Sequence, residues 1–363
     1  MNKSFQQKPR LLFLYSELAD YFIACIRKLV AAYDVEVKVI HWSVNAEAPF
    51  AFDFPAGAVF CEKKLFDKQK LVEEIKSFSP DFIYCSGWMD KDYLNVIKGY
   101  KHKIPVVIGL DTWWEGKIKQ YLACLLSRFT LLNKFSHCWV PGSKQKQYAI
   151  KLGFREEAIR TGYYTADVDY FKGIGEACAL GKKKKYPHRL IYEGRYYDFK
   201  GITDLWDAFI SWKRETDNDW ELWCLGTGDI KPIEHPAIKH FGFVQPKDIG
   251  PFILGSGVFV MPSHFEPWGV VMHEFCAAGL PVISSDKVGS AEAFIKDEQN
   301  GYIYHSGNVN ELKECIAKAT ALPDDKLFEM GELSRQLAVK IRPITWADTL
   351  MKIIHKQAYE GTK

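Results

Sequence analysis

The chain has 363 residues, which suffices for about two domains, and its net charge at pH 7 is +3. Hydrophobic residues make up 47% and charged residues 26%, proportions of a globular protein that exclude disordered and collagen-like classes. The apolar run at residues 11–15 is too short for a signal peptide, and no stretch reaches the roughly twenty apolar residues of a membrane span. We therefore expect a cytoplasmic protein.

The cysteines and the charge exclude several kinds of site. The nine cysteines form no Cys-x-x-Cys pair, and several lie inside apolar runs, so neither a zinc site nor a disulfide framework is indicated. The small positive charge is concentrated in the first half of the chain. It is too weak to indicate a nucleic-acid partner, but it is compatible with a basic face near acidic lipid.

Residues 1–171 alternate short apolar runs with amphipathic helical segments. Such alternation predicts a doubly wound parallel sheet with functional residues just beyond the strand ends, which here are Glu17, Ser86, Asp111 and Gly142. The predicted strands cover residues 11–16, 35–42, 81–87, 104–111 and 136–142, and the predicted helices cover 21–32, 68–78, 91–100, 116–135 and 143–152.

The predicted helix at residues 116–135 has a broad apolar face with basic residues around it. The basic residues are Lys117, Lys119, Arg128 and Lys134. A basic amphipathic helix can lie at an anionic membrane surface. It can also simply cover a sheet and keep its charges in water.

A second domain follows a break in the pattern. Residues 172–188 contain a run of four lysines and several glycines without hydrophobic periodicity, which predicts an exposed interdomain linker. Alternation resumes over residues 189–342, and residues 343–363 are predicted to be helical. The predicted strands are 189–195, 220–226, 238–244, 257–262, 281–285 and 300–305, and the predicted helices are 201–215, 247–254, 269–279, 290–295, 308–319, 324–339 and 345–360.

The most informative stretch is GVFVMPSHFEPWGVVMHEFCAAGLPVISSD, residues 257–286. It reads as a strand, a polar turn, a helix beginning near Gly269 and a second strand, which is a parallel βαβ unit. The start of such a helix is an anion site. Glu266 and Glu274 flank it, and a carboxylate there more plausibly accepts hydrogen bonds from neutral hydroxyls than it meets a phosphate. A diphosphate between two hydroxyl-rich rings describes a nucleotide sugar.

This stretch, with its E-x7-E spacing, resembles the signature of the retaining glycosyltransferases of family four, the group 1 glycosyl transferases. The resemblance implies the GT-B fold, an α/β architecture of two facing Rossmann-like domains with a final helix that crosses back to the first. It also implies retention at the anomeric carbon, a nucleotide-sugar donor as co-substrate, no metal and no cofactor. The implied domains are an acceptor domain at 1–171, the linker at 172–188, a donor domain at 189–342 and the crossover helix at 343–363.

The resemblance assigns roles to residues of the second domain. Arg195 and Lys200, in GRYYDFKG at the end of a predicted strand, would hold and stabilise the departing diphosphate. Glu266 would act at the reacting sugar, and Glu274 would bind the nucleotide sugar together with Gly269 and Val270. The segment FGFVQPKDI resembles the part that meets the base, so Phe243 and Val244 are candidate contacts, although a core role suits both equally well.

The first domain departs from the family pattern. Many relatives carry a glycine-rich loop after the first strand, whereas this chain has YSELADYF with Glu17. Many also carry a His at the end of the fourth strand, where this chain has Asp111. Asp111 could bind an acceptor or sugar hydroxyl, or it could cap a helix. Trp113 could stack on a sugar, or it could serve packing.

We therefore expect a retaining, metal-independent hexosyltransferase that moves a sugar from a nucleotide-diphosphate donor to a glycan or lipid-linked glycan acceptor, in cell-surface polysaccharide or glycoconjugate synthesis. A phosphorylase or epimerase of the same fold is one alternative. A non-catalytic nucleotide-sugar-binding subunit is the other, suggested by the missing glycine loop and the missing His.

Overall fold

The computed structural model describes residues 8–45 and 49–360. The ends of the first predicted domain and of the predicted crossover helix, residues 1–7 and 361–363, lie outside the described residues, as do residues 46–48. The chain forms two compact units. Unit 1 comprises the chain up to Thr165 together with the segment from Pro343 onward, and unit 2 comprises Ala166–Arg342.

Unit 1 is built on a parallel sheet of seven strands in the order β3-β2-β1-β4-β5-β6-β7. Its strands are β1 (Arg10–Tyr15), β2 (Glu36–His41), β3 (Ala58–Glu62), β4 (Phe82–Cys85), β5 (Val106–Gly109), β6 (His137–Trp139) and β7 (Ile159–Arg160). Its helices are α1 (Asp20–Ala32), α2 (Lys68–Phe78), α3 (Lys91–Val96), α4 (Ile118–Thr130), α5 (Ser143–Lys151) and, from the end of the chain, α13 (Pro343–Glu360).

The central strand β1 explains why this sheet is covered on both faces. Residues 11–15 are all buried, and their side chains enter two separate cores on opposite faces of the sheet. A continuous apolar run is what a parallel strand between two helical layers requires. The edge strands β3 and β7 were missed by the sequence analysis because one is half-exposed and the other has only two residues.

The last helix, α13, packs onto unit 1, as predicted. Trp346 is buried in the core of that unit and stacks on Trp139 at a ring-centroid distance of 5.0 Å and on Phe13 at 6.0 Å. The Tyr33 hydroxyl of the segment after α1 donates a hydrogen bond to Asp348 Oδ1 at 2.6 Å. The C-terminal helix is therefore an integral part of the first core.

Unit 2 contains a parallel sheet of six strands in the order β10-β9-β8-β11-β12-β13. The strands are β8 (Arg189–Glu193), β9 (Glu221–Leu225), β10 (Ile238–His240), β11 (Val258–Met261), β12 (Val282–Ser285) and β13 (Gly301–Tyr304). The helices are α6 (Val168–Lys184), α7 (Ile202–Glu215), α8 (Gly250–Leu254), α9 (Val270–Ala277), α10 (Ala291–Phe294), α11 (Val309–Thr320) and α12 (Asp324–Ala338).

The predicted interdomain linker at 172–188 is wrong in its secondary structure. Most of it belongs to α6, a helix whose buried residues include Phe171, Gly175 and Cys178. A Cβ on Gly175 would lie 2.2 Å from the main-chain oxygen of Ala278, so this glycine lets α6 approach the end of α9 closely. At least one of the glycines that suggested an exposed linker, Gly175, serves helix packing instead.

Helix α4 does not use its large apolar side chains to cover the sheet. Its buried residues are Gln120 and Ser127, while Ile118, Leu125 and Phe129 are 71–80% exposed. The prediction that this apolar face covers the sheet is therefore wrong for these side chains.

No helix within residues 8–45 and 49–360 is both long and apolar enough to cross a membrane.

Candidate functional site

The turn after β11 is fixed by the segment that follows β12. The Ser285 hydroxyl donates to the main-chain oxygen of Ser263 at 2.5 Å. The main-chain N–H of Glu266 donates to Lys287 O at 2.9 Å, and Gly289 N–H donates to Glu266 O at 3.0 Å. These hydrogen bonds hold the main chain of Glu266 on both sides. The side chain therefore projects from a fixed position at the carboxyl edge of the sheet.

Two glycines allow the segments at this edge of the sheet to pack closely against one another. Gly201 has φ +67°, and a Cβ there would lie 2.1 Å from Pro262 O. Gly269 has φ +89°, and its Cβ would lie 2.5 Å from Met261 Cε and 3.0 Å from Glu266 Cγ. Both positions require a residue without a side chain. They bring the turn before α7 and the start of α9 against the segment that carries Glu266.

Lys200 and Glu266 form an ion pair through Lys200 Nζ and Glu266 Oε2. Their side chains are only 18% and 14% exposed, so water screens the pair less than it screens a surface pair. Lys200 also lies over the Phe199 ring at 5.5 Å. The structure thus brings together two residues that the sequence analysis assigned to separate parts of the donor. An ammonium group has three donors, which leaves capacity for a phosphate oxygen beside the carboxylate.

Arg195 lies at the same edge, just after β8, and is exposed. Its guanidinium group lies 5.3 Å from the centre of the Tyr197 ring. The main-chain oxygen of Arg195 accepts a hydrogen bond from the Tyr192 hydroxyl at 2.9 Å, and Tyr196 N–H donates to Thr227 O at 2.8 Å. The main chain around Arg195 is therefore held in place while its charged group reaches solvent.

Helix α9 begins at Val270, beside the ion pair. Its N-cap is Gly269, which offers no side chain, and the structure shows no side-chain cap hydrogen bond there. The first-turn N–H groups and the positive end of the helix dipole are the groups that an anion would meet at this position. Glu274 lies one turn further along the helix and is half-buried.

Phe243 and Val244 follow β10, which ends at His240 and is shorter than predicted. Both side chains are partly exposed and neither belongs to the buried core, so the core alternative does not describe them. Gly226 N–H donates to Gly242 O at 2.7 Å, which ties the turns after β9 and β10 together. A role for Phe243 and Val244 against a base stays a prediction.

Glu193, the last residue of β8, was missed by the sequence analysis. The register that pairs Phe259 with Ile191 brings Glu193 level with Met261, the residue in contact with the start of α9. Within the described residues its carboxyl group has no hydrogen-bond or ion-pair partner, and burial raises its pKa to about 7. Only its place at a strand end signalled it in the sequence.

His273, next to Glu274 in α9, was also missed. Its Nδ1 accepts a hydrogen bond from Ala166 N–H at 3.0 Å, and its Nε2 lies 2.9 Å from Ala338 O, to which it donates. The ring is fully buried, which lowers its pKa to about 4 and keeps it neutral near pH 7. His273 therefore fixes α9 between the first and the last parts of unit 2.

Asp111 in unit 1 lies in the loop between β5 and α4. The Tyr164 hydroxyl donates to Asp111 Oδ2 at 3.2 Å, and Thr112 Oγ1 donates to Oδ1 at 3.4 Å. The N-cap of α4 is Lys117, so Asp111 does not cap that helix. Burial raises the pKa of Tyr164 well above its usual value, and the Asp111 charge adds to this, so the phenol remains a donor.

Trp113 and Glu17 occupy different environments from each other. Trp113 is 7% exposed, and Lys144 Nζ lies 5.1 Å from the centre of its ring, as the packing alternative expects. Little of the ring is therefore open to a sugar. Glu17 lies in the exposed bend after β1 and has no hydrogen-bond partner within the described residues. Acceptor contacts by either residue stay predictions.

No group of three His, Cys, Asp or Glu side chains within the described parts of the chain is arranged to hold a metal ion. The charged groups near the carboxyl edge of the unit 2 sheet include the cations of Arg195 and Lys200 and the carboxyl groups of Glu193, Glu266 and Glu274. Such a set can bind an anion through its cations and a polyhydroxylated ring through its carboxylates.

Comparisons with known proteins identify a family that part of the chain matches. Residues 179–336 match the family model described as "Glycosyl transferases group 1". The chain is 35% identical over 137 residues to spore coat protein SA of Bacillus subtilis and 31% identical over 195 residues to the lipopolysaccharide core biosynthesis glycosyltransferase LpsE of Rhizobium meliloti. These matches cover 37% and 51% of this chain, and 36% and 53% of those relatives, so the chain spans about half of their length or less.

The fold is also that of solved structures. The crystal structure of HepE from Anabaena in complex with UDP and glucose matches 96% of this chain and 100% of its own, with a TM-score of 0.70 and 16% identity. At that identity the likeness shows the fold alone, and the fold is GT-B, as predicted.

The ion pair yields a first prediction. Replacing Lys200 by Met should lower the free energy of unfolding by about 1–3 kcal/mol, because it leaves the half-buried Glu266 carboxylate without its charged partner. The double variant Lys200→Met/Glu266→Gln should recover part of this loss. Urea denaturation of the wild type, both single variants and the double variant measures the coupling. Strictly additive effects would show that the pair contributes no stability.

Glu193 yields a second prediction, which concerns pH. Its pKa in the folded protein is about 7, above the roughly 4.3 of an unfolded glutamate, so the folded state loses stability as pH rises through this interval. Glu193→Gln should therefore be more stable than the wild type near about pH 8 and of similar stability near about pH 4, as thermal unfolding at each pH will show. Glu234→Gln, at an exposed position, is the matched control. An advantage of Glu193→Gln that is independent of pH would refute the explanation.

Proposed function

The chain belongs to the group 1 glycosyl transferases of the GT-B fold, and on this basis we propose that it transfers a sugar from a nucleotide-diphosphate donor to an acceptor hydroxyl. The sugar is a hexose, and the anomeric configuration is retained. The observation that carries the proposal is the joining of three elements at one edge of unit 2. Lys200 contacts Glu266, and Glu266 Cγ lies beside Gly269, where α9 begins.

The cations and the helix start suit the leaving group. As the bond between the anomeric carbon and the diphosphate oxygen breaks, negative charge grows on the diphosphate. The ammonium of Lys200, the guanidinium of Arg195 and the N-terminus of α9 can stabilise that charge without a metal ion. The partial burial of Lys200 strengthens this effect because little water screens its charge.

The carboxylates suit the two rings of a nucleotide sugar. Glu266 lies at the start of α9 and, held by Lys200, can accept hydrogen bonds from hydroxyls of the reacting sugar. Glu274, one turn along α9, can accept hydrogen bonds from ribose hydroxyls. The ion pair with Lys200 fixes the orientation of the Glu266 carboxylate.

A front-face substitution describes the proposed transfer. The acceptor hydroxyl oxygen bonds to the anomeric carbon on the face from which the diphosphate leaves, and the departing phosphate oxygen takes the acceptor proton. No protein side chain then has to act as general base. In unit 1, Asp111 is the proposed contact for an acceptor or donor hydroxyl, supported by its position just after β5 and by its partial exposure.

The comparisons suggest which substrates to try first. UDP and glucose occupy the similar structure of HepE, so UDP-hexoses are the first donors of choice. One relative is named for lipopolysaccharide core biosynthesis and another for the spore coat, which supports a cell-surface glycan or lipid-linked glycan as acceptor. Purified chain incubated with a panel of nucleotide sugars, with release of nucleoside diphosphate as the readout, tests the proposal.

Glu274 and Arg195 separate binding from chemistry. We predict that Glu274→Ala weakens nucleoside-diphosphate binding by roughly 1.5–3 kcal/mol, measured by calorimetry, because a charged hydrogen-bond acceptor is lost.

Arg195→Ala should lower turnover at least about tenfold, equivalent to about 1.4 kcal/mol of transition-state stabilisation.

Several results would contradict these assignments. Wild-type affinity in Glu274→Ala would remove its ribose role. Activity abolished by a chelator and restored by magnesium or manganese would contradict the cation-stabilised leaving group. Donor binding without donor hydrolysis or transfer would favour the non-catalytic subunit, and a requirement for inorganic phosphate, or turnover without an acceptor or water, would favour a phosphorylase or an epimerase.

Asp111→Asn tests the acceptor side. The substitution keeps the shape and can still accept from Tyr164, but it removes the charge, so nucleotide binding should be unchanged while turnover falls or the acceptor KM rises. Initial rates at varied acceptor concentration, with calorimetry of the nucleoside diphosphate as control, give the comparison. Wild-type kinetics and unchanged stability would leave Asp111 as a loop residue only, and the search would move to Glu17.

A further inference from the structure

Helix α4 of unit 1 presents a continuous apolar stripe to solvent. Ile118, Leu122, Leu125 and Phe129 follow the spacing of one face of a helix, and each is at least 52% exposed. Tyr121 and Leu126, 60% and 50% exposed, widen the stripe on its two sides. Large apolar side chains that stand singly on a surface need no explanation, but six on one 13-residue helix form a patch of the kind that marks an interaction site.

The opposite face of α4 is already occupied by the fold. Gln120 is buried, its Oε1 accepts from Glu115 N–H at 2.8 Å, and its Nε2 donates to Trp113 O at 2.7 Å. Ser127 is buried as well, and its hydroxyl donates to Cys124 O at 3.0 Å. The hydrogen bonds of Gln120 to Glu115 and Trp113, which precede the helix, set its rotation. The apolar stripe therefore cannot turn inward without leaving the Gln120 amide unsatisfied.

Positive charge borders the stripe on both sides. Lys119 follows Ile118 by one residue and Arg128 precedes Phe129 by one, so with about 100° per residue they lie on opposite flanks. Both are exposed, and neither forms an ion pair with any residue that the structure describes. Residues 116–135 contain four Lys and Arg side chains and no Asp or Glu. Of the other two cations, Lys117 contacts Glu115 and Lys134 donates to Thr130 O.

Helix α5 adds a cation at one end of the patch. Lys151 Nζ lies 4.9 Å from the centre of the Trp114 ring, and that ring meets the Tyr121 ring edge-on at 4.7 Å. Trp114 and Tyr121 each combine an apolar ring with one polar group, and the Lys151 ammonium lies beside them. Such side chains are suited to the boundary between lipid headgroups and acyl chains.

We propose that α4 is a membrane-docking surface that lies in the plane of an anionic bilayer, with its apolar stripe among the acyl chains and Lys119 and Arg128 at the lipid phosphates. A helix of 13 residues is about 20 Å long, too short to span a bilayer but sufficient to lie in its interface. The docking surface belongs to unit 1 and does not depend on the transfer reaction proposed for this chain.

The charge pattern selects a bilayer over a second copy of the chain. Two copies that paired stripe to stripe would bring two helices without a single acidic residue against each other, and their flanking cations would repel. An anionic surface satisfies both features of the patch, since it accepts apolar side chains and attracts each nearby Lys or Arg.

The test is co-sedimentation of the purified full chain with vesicles, without donor or acceptor. We expect binding to vesicles of phosphatidylcholine mixed with phosphatidylglycerol and much weaker binding to phosphatidylcholine alone. Leu125→Ser/Phe129→Ser should lower the affinity for anionic vesicles at least about tenfold, because it removes the centre of the stripe. Lys119→Glu/Arg128→Glu should lower it by more than about twentyfold, since each cation near the surface contributes about fivefold.

Matched variants at other exposed positions show whether any loss of an apolar side chain or of positive charge lowers vesicle binding. Leu180→Ser, in α6 of unit 2, and Lys98→Glu/Lys103→Glu, elsewhere on unit 1, should bind vesicles like the wild type. All the substituted residues are exposed, so unfolding temperatures should be unchanged, and rates with a water-soluble acceptor should be too. An altered rate in a variant with normal vesicle binding would count against the catalytic assignments and not against the docking surface.

Four outcomes would overturn the proposal. Absence of binding to vesicles of either composition would do so, and if the wild type then bound polyglutamate, an acidic protein would be the partner. Equal losses in the matched variants would show unspecific attraction. Binding that ignores the lipid charge would remove the role of Lys119 and Arg128. Concentration-dependent dimerisation that Leu125→Ser/Phe129→Ser abolishes, seen by sedimentation velocity, would assign the stripe to a second copy.

Discussion

The ion pair between Lys200 and Glu266 is the constraint around which the candidate site is arranged. Its two members come from different βα connections of unit 2, and they meet only because the turns after β8 and β11 lie side by side at the carboxyl edge of the sheet. The side chains of Lys200 and Glu266 are only 18% and 14% exposed, and a charged group with so little contact with water needs a partner of opposite charge. The pair therefore fixes the Glu266 carboxylate and the Lys200 ammonium side by side near the start of α9.

Glycines make this arrangement possible at the level of the main chain. Gly201 lets the turn before α7 touch Pro262, and Gly226 lets the turn after β9 touch Gly194, where a Cβ would lie 1.9 Å from the main-chain oxygen. Several strand ends thus pack against one another through their backbones. The charged side chains that follow each strand are then carried on a rigid edge, which is the condition for a preorganised site.

The two units use apolar surface in opposite ways. In unit 2, apolar side chains of the βα connections, such as Trp268 at the start of α9, are buried and support the site. In unit 1, α4 buries Gln120 and Ser127 and exposes Leu125 and Phe129. The exposed apolar side chains of α4 have no packing role within unit 1, and the membrane-docking surface proposed for this helix would bury them.

The sequence by itself determined the two parallel sheets, the crossover helix and the E-x7-E segment, because apolar periodicity and strand-end motifs are local signals. It failed where the outcome depends on distant contacts. The glycines and lysines of 172–188 indicated a linker, yet Gly175 serves close packing against Ala278. Only the tertiary structure paired Lys200 with Glu266, 66 residues apart, and buried Glu193 enough to raise its pKa. Periodicity locates an apolar face but does not decide which way it turns, and in α4 the hydrogen bonds of the buried Gln120 decided it.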